Sequence, residues 1–244
     1  MILDSLMYCA MRKARNNRCI YSVIHYFRTK KKERKFKKSL ENFHKNGYEA
    51  MLVFDKCMVT NGYNYSLAFG TLLGTVRNHD FIPHDDDIDV AMWINDYTPQ
   101  IIDVLNNAGI SLLHSYSVDG DKIGKELTFV YKGVHIDIFF FYKDEQGKAY
   151  CCDFVAQPGC STIKESVYRY GGLLPRKIYV PLSEKLVRTN LRDIEVNIPS
   201  NFEDILTCRY GSDFMTPKKG WRPKTSSVME IPLHVGVVNA LSKD

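Results

Sequence analysis

Four consecutive residues, Asp87-Ile88-Asp89-Val90, alternate carboxylate with apolar side chain, and this alternation narrows the folds open to the chain. Side chains at i and i+2 of a strand share a face, so Asp87 and Asp89 point together while Ile88 and Val90 enter a core. Two carboxylates about 4 Å apart repel by roughly 4 kcal/mol at an effective dielectric near 20. Such a pair needs a proton or a cation, and hard oxygen ligands at this spacing suit Mg²⁺ or Mn²⁺. The strand must therefore bury one face and present the other to an ion.

Upstream, the small-residue turn Gly70-Thr71 opens a short helical stretch, Thr71–Asn78. A metal held beside a phosphate-cradling turn is basic equipment for phosphoryl transfer. A third carboxylate lies downstream. Val134-His135-Ile136-Asp137-Ile138-Phe139-Phe140-Phe141 reads as a buried strand, rich in β-branched and aromatic residues, with Asp137 at its middle. Buried aspartates are rarely tolerated unless paired or metal-bound. Asp87, Asp89 and Asp137 together would hold one or two divalent ions. Alternatively, Asp137 takes the proton of an attacking hydroxyl. Both roles stay open at this level.

These motifs resemble a known family. The G-[TS]…D-h-D pattern followed by a later strand aspartate is similar to the nucleotidyltransferase fold of the polymerase-beta superfamily. Within it, GTLLGTVRNHDFIPHDDDIDV closely resembles the LicD family, whose usual form is G-T-L-L-G-x-x-R-x-x-x-F-I-P-W-D-D-D-I-D. The resemblance extends to Gly133–Phe139, Val180-Pro181-Leu182, Asn197-Ile198-Pro199 and Tyr210–Pro217, in the family's order. His84 stands where the family usually has Trp.

The resemblance implies an α/β (α+β) polymerase-beta-like fold, a mixed sheet flanked by helices. It also implies a reaction: a phospho-alcohol such as phosphocholine moves from a CDP-linked alcohol donor to a hydroxyl of a cell-surface glycan precursor, releasing CMP. Gly70 and Thr71 would let backbone N–H groups approach the donor diphosphate, and Arg77 offers it a guanidinium. Asp87, Asp89 and Asp137 would be the metal ligands, with Asp137 a ligand or the general base. Two alternatives remain: nucleotidyl transfer from a nucleoside triphosphate with release of pyrophosphate, and a non-catalytic metal- or glycan-binding module. Asp85 and Asp86 are read as loop groups behind the ligands. His79, His84 and His135 are read as structural, and Asp213, in the family's YGxD-like block, stays open between a site group and a helix-end brace.

Charge is distributed unevenly. Residues 1–60 hold 14 Lys and Arg against 5 Asp and Glu, whereas the rest holds 19 against 23. Residues 28–38, RTKKKERKFKK, are the most basic. Before and beside them, Ile2, Leu3, Leu6, Met7, Ala10 and Met11, then Ile20, Val23, Ile24 and Phe27, recur at helical spacing. Neither run reaches the ~20 apolar residues that span a bilayer. Residues 1–38 are instead expected to touch an anionic membrane face, which suits a lipid-linked glycan acceptor. Nucleic acid is a poor partner, because the basic run lacks interleaved aromatics apart from Phe36. Seven cysteines, an odd number without a signal-peptide pattern ahead, point to a reduced cytoplasmic setting, and the basic run would then make the chain peripheral on the inner membrane face.

Periodicity predicts a long helix over 33–60 that stops at Asn61-Gly62. It predicts strands at Tyr65–Phe69, Ile88–Trp93 and Ile110–Ser117, and a helix at Thr98–Ala108. A hairpin of Leu127–Tyr131 and Val134–Tyr142 turns at Lys132-Gly133. Beyond Cys151 only short β pieces at Lys177–Val180 and Ile194–Ile198, a helix at Phe202–Arg209 and an irregular arm at Thr216–Lys224 stand out. The division expected is a basic helical extension (1–32), a catalytic core (33–150) and a C-terminal part (151–244) that completes the site and the acceptor region.

Overall fold

The computed structural model describes residues 18–218, 228–231 and 234–241. A 43-residue helix, α1 (Arg18–Thr60), comes first and extends upstream of position 33 through the whole basic stretch. Lys, Arg and Glu are good helix formers, and no glycine or proline interrupts residues 18–46. Lys30–Glu33 and Lys37–Glu41 add ion pairs one turn apart. The second half buries Phe43, Ala50, Met51, Phe54 and Met58. The helix stops where Gly62 takes a left-handed φ of 73° and the Tyr63 N–H returns to the Met58 carbonyl. Val23 and Phe27 are exposed. Residues 2–11, the Ile20 and Ile24 side chains, Trp221 and Arg222 lie outside the described residues.

Next come β1 (Ser66–Leu67), α2 (Phe69–Asn78), β2 (Asp87–Trp93) and α3 (Gln100–Asn107). They are followed by β3 (Ser111–Val118), β4 (Gly124–Tyr131), β5 (Val134–Lys143) and β6 (Ala149–Val155). The C-terminal third supplies α4 (Ile163–Tyr170), β7 (Leu174–Tyr179), β8 (Leu186–Leu191), β9 (Ile194–Pro199) and α5 (Phe202–Tyr210). Short strands β10 (Val228–Glu230) and β11 (Val237–Leu241) close the described chain. The expected strand Tyr65–Phe69 is cut to two residues because α2 already begins at Phe69.

Among the described residues the main sheet runs β10-β7-β6-β5-β4-β3-β11, with β2 beside β5 and β1 beside β2. Strand β5 is the hub, paired with β2, β4 and β6. The β2–β5 ladder is parallel, and the other described ladders are antiparallel. The β4–β5 hairpin turns on Lys132 and Gly133, whose φ angles of 47° and 78° match a two-residue turn of primed type. The Asn42 amide of α1 donates to the Lys132 carbonyl at 3.0 Å and ties helix to hairpin.

The core fills the gap between α1 and one face of the sheet. Ile88, Val90 and Met92 of β2, Leu127 and Phe129 of β4, and Ile136, Ile138 and Phe140 of β5 are buried there with the α1 residues. A smaller apolar cluster, including Ala68, Ala91, Phe141, Cys151 and Ile178, lies apart from it. With one face of β2 and β5 sealed against α1, their alternate residues project the other way. That is the face carrying Asp87, Asp89 and Asp137.

Candidate active site

Parallel pairing decides the geometry. The register sets Asp87 beside His135 and Asp89 beside Asp137. Residues level with each other on neighbouring strands share a face, so Asp89 and Asp137 stand side by side with Asp87 one pleat away. One carboxylate oxygen from each of the three lies within 4.8 Å of the others. The three residues singled out by the sequence are thus brought together.

The turn behind them is a brace. Ala68 N–H donates to the Asp89 carbonyl (3.0 Å), and Asp89 N–H donates to Thr71 Oγ1 (2.9 Å). Gly70 N–H donates to Asp89 Oδ2 at 3.3 Å. Thr71 is fully buried, so its hydroxyl fixes the strand, whereas the sequence assigned Thr71 to the donor diphosphate through its backbone. Gly70 has a steric role too. A Cβ there would sit 2.7 Å from Asp85 Oδ2, so the missing side chain lets Asp85 press close. Phe69, just before, holds φ at 41°, a region that costs a non-glycine residue roughly 1–3 kcal/mol and is concentrated at functional sites.

Electrostatically the site is overloaded with negative charge. Burial, then Asp87 and Asp86, push the Asp85 carboxyl up to about 7, with His84 pulling the other way. Burial, then Asp137 and Asp86, raise Asp87 to about 7. Burial followed by Asp87, Asp137 and Asp85 lifts Asp89 well above the carboxylate range, against the Gly70 N–H. Asp137 rises to about 6 through burial, opposed by a hydrogen bond from Thr128, its register partner on β4. Asp137 Oδ1 and Asp85 Oδ2 are buried and have no hydrogen-bond partner. Crowded, desolvated oxygens with unmet acceptors are what a hard divalent cation satisfies, so the donor set fits Mg²⁺ or Mn²⁺.

The remaining candidates divide. Arg77 is anchored to backbone on one side: its Nε donates to the Phe214 carbonyl (2.5 Å) and its Nη2 to that of Thr216 (3.3 Å). It lines, with Gly70, Asp85, His84 and Tyr210, a cleft of about 140 Å³. Asp85, read from sequence as a loop group, is therefore part of the site wall. His79 caps α2 in a left-handed conformation and its Nδ1 contacts the Asn190 carbonyl at 3.0 Å, a structural role. Partial desolvation holds the His135 imidazole, level with Asp87 in the register, below its ordinary value, with Asp86 pulling the other way. Asp213 accepts from Lys218 Nζ at 2.5 Å.

Sequence reasoning missed Glu126. It stands opposite Phe139 on β5 and Tyr116 on β3, and burial, then Asp137 and Asp153, raise it well above its ordinary value. Only the pairing of β4 with β5 reveals it, since Lys125 and Leu127 around it show no alternation of their own. A larger cavity, about 790 Å³, opens along the same strands and is lined by Ser66, Ala91, Trp93, Phe141, Lys143 and Glu184 among others.

A carboxylate pair on one strand, a third on its parallel neighbour and a glycine turn behind them define a cation-ready acidic site of the kind phosphoryl-transferring domains use. The chain belongs to the LicD/FKTN/FKRP family, whose nucleotidyltransferase domain matches residues 62–201. Among its relatives, the ribitol-5-phosphate transferase FKTN of Mus musculus is 30% identical over 185 residues, which is 75% of this chain and 36% of that protein. The Homo sapiens and Macaca fascicularis proteins of the same name are 28% and 29% identical over stretches of the same length and coverage. The chain thus spans about a third of the length of these relatives. Among the described residues, no helix is long and apolar enough to cross a membrane.

Proposed function

We propose that this domain, on a polymerase-beta-like framework, transfers a phospho-alcohol from a CDP-linked alcohol to a glycan hydroxyl and releases CMP. The observation that carries the reading is the register of Asp89 beside Asp137, with Asp87 one pleat away and three oxygens within 4.8 Å. The names of the relatives put ribitol phosphate at the head of the candidate groups, ahead of phosphocholine. A bound Mg²⁺ or Mn²⁺ would neutralise the diphosphate and the charge that develops on the leaving phosphate.

The protein's own groups do the rest. Asp87 and Asp89 hold the ion, and the Gly70 N–H with the Thr71 hydroxyl keeps Asp89 aimed. Asp137 completes the ligand set or accepts the proton of the attacking hydroxyl. An ordinary carboxylate is a weak base, and one raised to about 6 is better matched to that second task near neutral pH. The cavity beside Trp93 has room for a sugar acceptor, and the C-terminal part, residues 151–244, completes that region. The exposed basic half of α1 suits contact with an anionic membrane face carrying a lipid-linked acceptor.

The test is a thermal-shift series with Mg²⁺ and CDP-ribitol, CDP-choline, CDP-glycerol or CTP, with Asp89→Asn alongside. A ligand at 100 times its dissociation constant adds about 2.7 kcal/mol. One CDP-alcohol standing above CTP, its effect lost in the variant, is the expected result. A preference for CTP would replace the proposal with nucleotidyl transfer. Indifference to every nucleotide, with or without metal, would leave a binding module.

A further inference from the structure

A donor diphosphate in this acidic site gains from a cation supplied by the protein. Three carboxylates with one divalent ion keep a net negative charge, and a diphosphate adds to it. Arg77 has spent Nε and Nη2 on backbone carbonyls, and Lys218 is paired with Asp213. Arg209, near the end of α5, differs. Its Nε and Nη1 are buried without a hydrogen-bond partner. A guanidinium cannot shed its charge to escape that environment, so an anion is the partner it lacks.

Its position is fixed by stacking. The guanidinium lies over the Phe69 ring, 5.2 Å from the centroid, and Phe69 meets Phe139 edge to face at 4.9 Å. Phe69 is the strained residue directly before Gly70, whose N–H reaches Asp89. The neighbouring Tyr210 lines the 140 Å³ cleft with Gly70 and Asp85. Burial and then Asp89 raise the Tyr210 phenol, while Arg209 opposes them, which puts the arginine within electrostatic reach of the same cleft.

We infer that Arg209 binds the diphosphate of the nucleotide-linked donor through its uncommitted N–H groups, held in place by the Phe69 ring. This inference rests on the donor reading above. It also gives the strained Phe69 a purpose: the ring is the shelf on which the phosphate-binding cation lies. Arg209 falls beyond the residues matched to the family domain, 62–201, so nothing in that match assigns it.

Calorimetric titration of the Mg²⁺-loaded protein with CDP and with cytidine tests it. Losing a charge-assisted contact to phosphate should weaken CDP about 10- to 100-fold in Arg209→Gln, with cytidine unmoved. Arg209→Lys, which keeps charge without the planar fork, should recover only part of the loss. Equal CDP affinity in wild type and both variants would overturn the role of Arg209 and leave the donor reading standing. Failure of the wild type to bind CDP would overturn both. Should the variants fail to fold, the Arg209 Nε–H resonance of the ¹⁵N-labelled wild type decides. A shift with CDP but not with cytidine supports the contact, and an unmoved resonance refutes it.

Discussion

Removing a carboxylate from the triad should stabilise the metal-free fold, which is the opposite of what most buried substitutions do. In Asp89→Asn the amide oxygen still accepts from Gly70 N–H, and the backbone bond to Thr71 is untouched. What disappears is repulsion. Unit charges 4.8 Å apart, the outer limit of the separations within the triad, interact by roughly 3.5 kcal/mol at an effective dielectric near 20, and Asp89 has two such neighbours. Protonation caps the penalty. Asp85 and Asp87 are raised to about 7 and Asp137 to about 6, and each unit is worth about 1.4 kcal/mol. The net gain at about pH 8 should therefore be about 2–4 kcal/mol.

The pH dependence has a definite sign. Carboxyls held above their unfolded value take up protons on folding, so the metal-free protein gains stability as pH falls from about 7 toward about 4, and loses it as pH rises. The advantage of Asp89→Asn should accordingly shrink at about pH 5. Mg²⁺ should reverse the order at about pH 8, since it stabilises the wild type and has lost a ligand in the variant. Urea unfolding at both pH values, with and without MgCl₂, measures all four cases. A metal-free Asp89→Asn protein less stable than wild type by more than about 1 kcal/mol at pH 8 would refute the repulsion argument.

Three further outcomes follow from the braces around the triad. Thr71→Val leaves the Asp89 N–H unpaired in a buried position and should cost about 1–3 kcal/mol, with weaker Mg²⁺ binding by calorimetry. Gly74→Ala would place Cβ 2.5 Å from the Asp80 carbonyl and 2.8 Å from the Ile82 nitrogen. Because both obstacles are backbone, a loss of about 1–3 kcal/mol should appear as a lower Tm. Arg77→Gln removes the bonds that hold the Phe214 and Thr216 carbonyls to α2 and should speed proteolytic cleavage near residue 216; an unchanged cleavage pattern would argue against the bracing role.

The triad was legible because it rests on a period of two. Asp87 and Asp89 share a face on any strand, and Asp137 sits in a run too apolar to be anything but a strand. Their meeting required only that the two strands pair. Arg77 was placed on the right helix, but its partners lie 137 and 139 residues away, and no local pattern announces a contact with Phe214 or Thr216. Glu126 and Arg209 were invisible for the same reason: both acquire meaning from a neighbouring strand or ring. The helix α4 was readable and passed over. Thr162 accepts from the Glu165 N–H, Glu165 turns back to the Ser161 N–H, and Gly171 closes the far end at φ 75°. Strand β9 was legible at Ile194–Ile198, where Val196 and Ile198 are buried, but its partner β8 is exposed over half its length and its apolar alternation was too faint to find.

The first helix also sets a length scale. An α-helix rises about 1.5 Å per residue, so Arg18 stands about 38 Å along the axis from Phe43, the first buried side chain described on α1. A flexible tether of that many residues would let a domain wander. A continuous helix behaves as a semi-rigid spacer, so a surface gripping its basic turns would hold the acidic cleft at a nearly constant height. Reach would then be a property of the protein as much as affinity, and acceptor hydroxyls would be sorted by how far they project from that surface.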